Sequence, residues 1–296
     1  MTVNTTTRER QPASAPTHRV VTVVEFLASD PAGRPSLAEI VRAVGMTRAT
    51  AHAVLTQLCT DGWVIRGDDH RFALAPTFLG RMAASARTSP LVIACGPAIR
   101  AAARDLGVPV FLAERTDASI TVTDIAGDIA WAQVGMRIPI WAPLCREFIA
   151  WESPAERAEW LGTVPPAARE AVARVIDTVR DRGVTVENLG REATEVMAAL
   201  HSVHRADSAP AVQRRIADLL IDLMTSDYRP EDLSGTVPTM SVAVPVAVAR
   251  DGGSPTHRVT ASLVACPGSP SDADDVERIV ARLREAATTA DVPAAP

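Results

Sequence analysis

Residues 47–56 carry side chains that can recognise the edges of DNA bases. Arginine can donate two hydrogen bonds to guanine, histidine can reach a base edge, and a threonine hydroxyl bonds bases with little preference. An alanine methyl can touch the methyl group of thymine. At helical spacing, one side of this segment presents Arg48, Ala49, His52, Ala53 and Thr56. We name this set the reading face, and we expect it to enter a major groove about 12 Å wide in double-stranded DNA.

Thr47 and Thr50 stand at the start of the same predicted helix. Free amides and hydroxyls at a helix N-terminus suit a phosphate group. We therefore add both threonines to the candidate DNA contacts.

The reading face needs a compact support behind it. The opposite side of its helix is apolar, with Ala51, Val54, Leu55 and Leu58. An amphipathic first helix precedes it and ends at residues 30–33. Ser36 and Glu39 form a capping box that opens a second helix, and Gly45 turns the chain toward the third. The pattern predicts a helix-turn-helix, although an ordinary three-helix core would share the same apolar spacing.

A β-hairpin is predicted directly after the third helix. Two β-type runs, 63–65 and 71–74, are joined by a short polar loop. Arg66 and Arg71 lie at the base of this wing, whereas its tip is acidic and repels phosphate. We expect the wing to touch DNA through Arg66 or Arg71, or only weakly.

Charge is distributed unevenly along the chain. The net charge is −5, but residues 1–88 hold 10 Arg against 7 acidic residues, and residues 89–296 hold 20 against 28. A basic first part and an acidic remainder indicate that only the first part meets phosphate. No apolar run approaches the roughly 20 residues of a membrane span, and the four cysteines are scattered. These features lead us to expect a reduced, cytoplasmic protein without membrane contact.

The fold class that we predict is α+β. We expect a disordered arm at 1–17, a winged helix-turn-helix domain at 18–76, a linker helix at 77–88 and a second domain at 89–296. Within the second domain, strands in two groups with helices between them indicate a mainly antiparallel sheet. Its predicted elements are a helix at 90–106, strands at 109–115, 119–126 and 130–135, helices within 143–226, strands at 239–249 and 257–265, and a helix at 272–289.

The motifs of the first domain resemble those of the IclR family of bacterial transcription regulators. The resemblance rests on residues 36–52, on Gly62-Trp63-Val64 and on residues 71–76. Arg48, Thr50 and His52 match the start of the family's recognition helix. Ala49 stands where the family has Ser, and Ala53 where it has Arg.

The resemblance continues into the second domain. Residues 134–140 are similar to the family's Val-Gly-Ser-Arg-Leu-Pro-Leu segment, and residues 241–246 to its Cys-Ile-Ala-Ala-Pro-Val strand. It implies a GAF-like effector domain with a pocket for a small molecule. It also implies a homodimer, in some relatives paired into a tetramer, on a pseudo-palindromic operator.

Departures from the family lead to a hypothesis about the ligand. Ser241 replaces a family cysteine, and Leu263 and Ala265 replace serines that bind small polar acids in relatives. A carboxylate would then lie against an apolar wall, which is costly. We expect a ligand larger and more apolar than a simple keto acid. Trp131, Met136 and Trp141 would line its pocket and Arg137 would anchor a charge; alternatively, the aromatic residues are plain core and Arg137 is structural.

A helical insertion is predicted near residues 190–237, with helical patterns at 191–205 and 210–225. It would form a lid, a subunit contact or a helical pair packed on its own domain. His201 and His204 are three residues apart there, which is a weak signal for a metal site.

We find no nucleophile elbow, phosphate loop or paired Cys-x-x-Cys. We therefore expect neither enzyme nor cofactor chemistry, but a transcription regulator, more specifically a repressor, whose DNA affinity responds to a ligand. The alternative is a sensor or interaction module whose winged helix has little DNA affinity.

Overall fold

A computed structural model describes residues 13–30, 33–142, 144–187, 235–238, 241–250 and 257–289. The chain divides into two compact units, Met1–Ala86 and Arg87–Pro296. The predicted helices at 191–205 and 210–225, and the pair His201 and His204, lie outside the described residues.

The first unit contains a three-helix support, a hairpin and a final helix. Its elements are α1 (Ala15–Ser29), α2 (Leu37–Val44), α3 (Arg48–Thr60), β1 (Val64–Arg66), β2 (Phe72–Leu74) and α4 (Pro76–Ala86). Val23, Ile40 and Leu55, one from each of the first three helices, meet in its core. Val64 and Phe72 place the hairpin against the same core. The apolar spacing of the sequence therefore identifies the contact faces of these helices.

The first helix begins earlier than predicted. It starts at Ala15 rather than at residue 18, so the proposed disordered arm does not extend to residue 17. The Ser14 hydroxyl accepts a hydrogen bond from the Thr17 amide, and Pro16 occupies the first turn, where its missing N–H leaves no bond unmade.

The predicted capping box and turn are confirmed. The Ser36 hydroxyl accepts from the Glu39 amide, and a Glu39 carboxylate oxygen accepts from the Ser36 amide at 2.6 Å. Gly45 ends α2 with a φ of +67°, a conformation that glycine adopts at low cost. This turn sets the angle at which α3 leaves the support.

The described elements of the second unit are α5 (Pro90–Leu106), β3 (Val110–Thr116), β4 (Ser119–Ala126), β5 (Arg137–Pro139), α6 (Arg146–Ile149), α7 (Pro154–Gly162), α8 (Arg169–Arg182), β6 (Thr185–Glu187), β7 (Val237–Pro238), β8 (Ser241–Arg250), β9 (His257–Ala265), β10 (Pro270–Ser271) and α9 (Ala273–Thr289). Six of the strands form one antiparallel sheet in the order β5-β4-β3-β9-β8-β6. A separate two-stranded pair joins β7 to β10. The α+β class with a mainly antiparallel sheet is confirmed.

The two faces of the sheet bury different cores. On one face, Leu112 and Leu263 pack with Ile99 of α5 and Leu283 of α9. The other face carries Phe111, Ala243 and Val264, which pack with Phe148 of α6. Because neighbouring residues of a strand point to opposite faces, each strand contributes to both cores.

One predicted strand of the second unit does not form, and the four short strands β5, β6, β7 and β10 were not predicted. No strand forms at 130–135; the chain instead forms a connection that reaches β5 only at Arg137. Gly127 and Gly135 bracket this connection with φ values of +90° and +87°, outside the range of a regular strand. The short strand β6 (Thr185–Glu187) was missed, because three residues after the Gly183 helix end give too little alternation to detect.

Candidate nucleic-acid interface and ligand cavity

The reading face is exposed along α3. Arg48, Ala49, His52, Ala53 and Thr56 all point to solvent, while Ala51, Leu55 and Leu58 are buried behind them. The helix thus presents one guanidinium, one imidazole and two methyl groups on a single surface. That combination suits contact with base edges in a major groove.

The threonine hydroxyls of this helix are partly engaged already. Thr47 is the N-cap: its hydroxyl accepts from the Thr50 amide at 3.2 Å and lies 2.8 Å from the Thr50 hydroxyl. The Thr56 hydroxyl donates to the His52 carbonyl at 2.8 Å. Thr56 therefore keeps acceptor capacity for a base amino group, and the hydrogen-bond donors of the reading face come from Arg48 and His52.

The two wing arginines have different surroundings. The Arg66 guanidinium lies 5.7 Å from the centre of the Phe72 ring and remains on the exposed side of the hairpin. The Arg71 guanidinium donates to the Arg34 carbonyl at 2.6 Å and to Glu39 at 3.2 Å. Arg71 thereby ties the wing to the start of α2.

Glu39 serves two elements at once. It closes the capping box of α2 and accepts from Arg71. The hydrogen bonds from Ser36, with the charge of Arg71 nearby, hold the pKa of Glu39 below its ordinary value. The negative charge at the tip of the wing is also partly offset, because Asp69 lies 3.7 Å from Arg34.

A cavity of about 30 Å³ lies on the α6 side of the large sheet. Its lining combines aromatic, aliphatic and charged side chains: Phe111, Ile120, Trp131, Ile138, Leu144, Cys145, Glu147, Glu187, Ser241, Ala243 and Val264. Trp131 is half-buried and the other lining residues are buried. A space of this size holds only one or a few water-sized groups, because one water needs roughly 10–15 Å³ on this measure.

Of the predicted effector residues, Trp131 and Ser241 line this cavity. Met136 is buried in the adjoining core cluster, and Trp141 packs against that cluster without lining the cavity. Arg137 is exposed and donates to the Ser119 hydroxyl at 2.7 and 3.1 Å. Its guanidinium thus joins β5 to β4 rather than facing the cavity.

Leu263 and Ala265 require a correction. Both pack in the core formed with α5 and α9, on the face of the sheet away from the cavity. The residues of β9 and its end that face the cavity side include Ser262, Val264 and Cys266. Leu263 and Ala265 therefore do not line the cavity, because neighbouring residues of a strand point to opposite faces of the sheet.

The cavity contains a cluster of buried charge that the sequence reasoning missed. Glu147 and Glu187 line it, and Arg146 lies beside them with 1% of its surface exposed. Arg146 Nη2 is 3.6 Å from Glu187 Oε1. Ser241 donates to Glu187 at 2.7 Å, and Ser262 donates to Glu147 at 3.3 Å.

Burial and like charge shift the ionisation of this cluster. Burial, together with the neighbouring charge of Glu187, raises the pKa of Glu147 to about 7. Burial also raises the pKa of the Cys145 thiol well above its ordinary value and that of Cys266 in the same direction. The carboxyl of Glu147 is thus a group in this cavity whose charge changes near neutral pH.

No local signal identified this cluster. Glu147 belongs to a helix of only four residues, and Glu187 belongs to the strand β6 that was not predicted. The register of β6 against β8, which pairs Glu187 with Ser241, brings the second carboxylate to the cavity. A charged pair among apolar residues at 146–147 was the only indication in the sequence.

In the described part of the chain, no three His, Cys, Asp or Glu side chains gather as metal ligands. Cys59, Cys95, Cys145 and Cys266 are free thiols. None of the helices within the described ranges has both the length and the apolar character needed to cross a membrane.

Comparison with known proteins gives consistent relatives. A model of the IclR helix-turn-helix domain matches residues 17–67. A search of curated proteins gave no significant match. The structure is similar to an IclR transcriptional regulator from Alicyclobacillus acidocaldarius, with 21% identity, 94% of this chain and 98% of the other covered, and a TM-score of 0.61.

Two further solved structures share the fold. The IclR protein of Thermotoga maritima is 14% identical over 92% of this chain and 96% of its own, with a TM-score of 0.57. An IclR homologue from Microbacterium hydrocarbonoxydans, solved with 4-hydroxybenzoate, is 20% identical over 94% and 98%, with a TM-score of 0.59. This chain therefore shares the fold of these regulators.

Proposed function

We propose that this chain is a repressor of the IclR type whose affinity for its operator responds to a small ligand, because residues 17–67 match the IclR helix-turn-helix domain and the chain shares the fold of IclR regulators. The observation that carries the proposal is the exposed reading face of α3, with Arg48 and His52 directed away from a packed three-helix support. The second unit contains a cavity, and this cavity is the candidate ligand site that such regulation requires in addition to the DNA site.

In the proposed complex, α3 lies in the major groove. Arg48 donates to guanine, His52 reaches a base edge, and Thr47 and Thr50 approach a phosphate at the helix start. Arg66 is the wing residue with the more available guanidinium, since Arg71 is bonded to Arg34 and Glu39. Ala49 and Ala53 contribute methyl contacts.

A homodimer on a pseudo-palindromic operator is part of this proposal, because one reading face covers only a half-site. In the first unit, Leu79 and Met82 of α4 are 45% and 49% exposed, and α4 buries none of its residues. Exposed apolar side chains of this kind are candidates for a subunit contact. Pairing of dimers into a tetramer is an extension of the same proposal.

The proposed ligand has an apolar or aromatic body. The Microbacterium relative was solved with 4-hydroxybenzoate, an aromatic molecule. Here Trp131 and Phe111 line the cavity with their rings edge to face, their centroids 6.0 Å apart. A cavity of about 30 Å³ is too small for a ring, so an aromatic body requires the half-buried Trp131 to move.

The decisive experiment selects genomic fragments with the full chain and measures their affinity across a range of salt concentrations. A steep fall in affinity with salt, and a shared sequence among the fragments, supports the proposal, because phosphate neutralisation releases counterions. An affinity that does not fall with salt overturns it and favours the interaction module with a weakened winged helix. Ligand responsiveness is then measured as a change in operator affinity.

A further inference from the structure

We propose that the cavity of the second unit takes a ligand with a protonated amine, and that the carboxylate of Glu147 is the counter-ion of that amine. This inference rests on the proposed function, which gives the cavity a ligand, and it adds the chemical class of the group that enters.

The first support is the charge of the cavity. Glu147 and Glu187 both line it, and Arg146 is the cation beside them. Arg146 lies within ion-pair distance of Glu187, whereas Glu147 forms no ion pair with any residue in the described ranges. The Glu147 carboxylate accepts from its own backbone amide and from the neutral hydroxyl of Ser262, at 3.3 Å, and the charge of Arg146 acts on it from beyond ion-pair distance. A second cation would complete the cluster.

The next charges outward do not alter this balance. Arg115 is paired with Glu152 and also donates to the Phe148 carbonyl at 3.2 Å. Glu152 is buried and Arg115 is partly buried, and their charges offset each other. An anionic ligand in the cavity would therefore meet two carboxylates that share the charge of Arg146, in a region of low dielectric constant.

The second support is independent of the acidic residues. The Trp131 and Phe111 rings line the same cavity, and aromatic rings attract cations through the negative charge of their faces. A carboxylate together with aromatic rings is a combination that favours an ammonium group over a neutral or negative one. Cavity size agrees, because about 30 Å³ fits a head group the size of one or a few waters.

Ionisation of the site adds a measurable consequence. Burial and Glu187 raise the pKa of Glu147 to about 7. A bound ammonium favours the ionised carboxylate and lowers that pKa, so binding releases a proton. The affinity for an aliphatic amine, which stays protonated throughout, should rise between about pH 6 and about pH 8.

The test uses propylamine, propanol and propionate, which share size and shape but differ in the charge of one end. Their binding to the full chain is measured by calorimetry and by thermal shift at constant ionic strength. We expect propylamine to bind ~10-fold or more tightly than the other two, because only it pairs with Glu147. A preference for propionate or propanol, or equal binding of all three, overturns the proposal.

Substitution of Glu147 tests whether this residue causes the preference for propylamine. Glu147→Gln keeps the shape of the side chain and should abolish the preference for propylamine together with its pH dependence. Glu159→Gln, on the exposed side of α7, is the matched control and should retain both. A preference that survives in Glu147→Gln overturns the assignment.

The wild-type pH profile provides a second criterion that does not depend on how any variant folds. A propylamine affinity that stays flat or falls between about pH 6 and about pH 8 overturns the proposal. These measurements contain no DNA. If propylamine shows no preferential binding but the operator complex still responds to another ligand, the amine proposal is wrong and the proposed regulator function stands. If the operator complex responds to no ligand, the proposed function itself is contradicted.

Discussion

The reading face and the cavity are assembled in opposite ways. Every residue of the reading face comes from one helix, α3, and each is exposed. The charged residues of the cavity come from α6 and β6, with hydroxyls from β8 and β9, and all of them are buried. One site is therefore set by helical periodicity alone, and the other by the register of strands distant in sequence.

The same difference decides how each site responds to change. Exposed charges on α3 are hydrated and screened by salt, so replacing one alters binding more than folding. Buried charges at the cavity stabilise one another, so removing one leaves an opposite charge buried without its partner. The predictions below test that contrast.

The largest effect is expected from Arg146→Ala. Removing this guanidinium leaves Glu147 and Glu187 facing each other without the buried cation between them. We expect the free energy of unfolding to fall by about 3–5 kcal/mol, measured by denaturant titration.

Arg174→Ala serves as the matched control, since its pair with Glu170 is exposed, and it should change stability by less than about 1 kcal/mol. Adding Glu187→Gln to Arg146→Ala should recover part of the loss. Equal effects of the two arginine variants would remove the distinction between the buried cluster and the surface.

Arg48→Ala should weaken operator binding by about 1–3 kcal/mol, because a two-bond contact to guanine is lost. The free energy of unfolding of this variant should equal that of the wild type, because Arg48 is exposed. Affinity is measured by titration of an operator fragment, with Arg104→Ala of α5 as a control that should bind normally. An unchanged affinity for Arg48→Ala would exclude it from the reading face.

Glu147→Gln should change the pH dependence of stability. The pKa of Glu147 is raised from 4.5 to about 7 on folding, so the folded chain binds more protons than the unfolded chain between these values. The free energy of unfolding of the wild type therefore falls as pH rises through this window and stays reduced above it.

The variant lacks this loss and should be more stable than the wild type by about 3 kcal/mol above about pH 8, but not below about pH 4.5. Thermal unfolding across pH measures the difference. Parallel profiles for the two proteins would show that Glu147 ionises as an ordinary surface carboxyl.

The smallest effects separate the two wing arginines. Arg66→Ala should lower the slope of log affinity against log salt by about 1, as expected for one lost phosphate contact. Arg71→Ala should mainly loosen the hairpin, with a loss of stability below about 1 kcal/mol, because its ion pair with Glu39 is exposed. The reverse assignment would mean that Arg71 leaves its intramolecular partners on binding DNA.

The contrast also explains what the sequence could predict. The helices of the first unit followed from apolar spacing, a capping box and Gly45, all of them local signals. The segment at 130–135 misled because its composition suits a strand, although flanking glycines turn it into a connection carrying Trp131. Glu147 and Glu187 become neighbours only after the sheet and α6 pack together, so their pairing has no signature along the chain.

The shared bonds of Glu39 bear on attempts to re-engineer this protein. Since one carboxylate both starts α2 and holds Arg71 of the wing, the helix pair and the hairpin form a single module. Exchanging only the exposed residues of α3 would leave that module whole, because Ser36, Glu39 and Arg71 lie outside the exchanged positions and the buried residues of α3 stay in the core. Hybrid regulators with new operator preference are therefore best built by replacing the reading face alone.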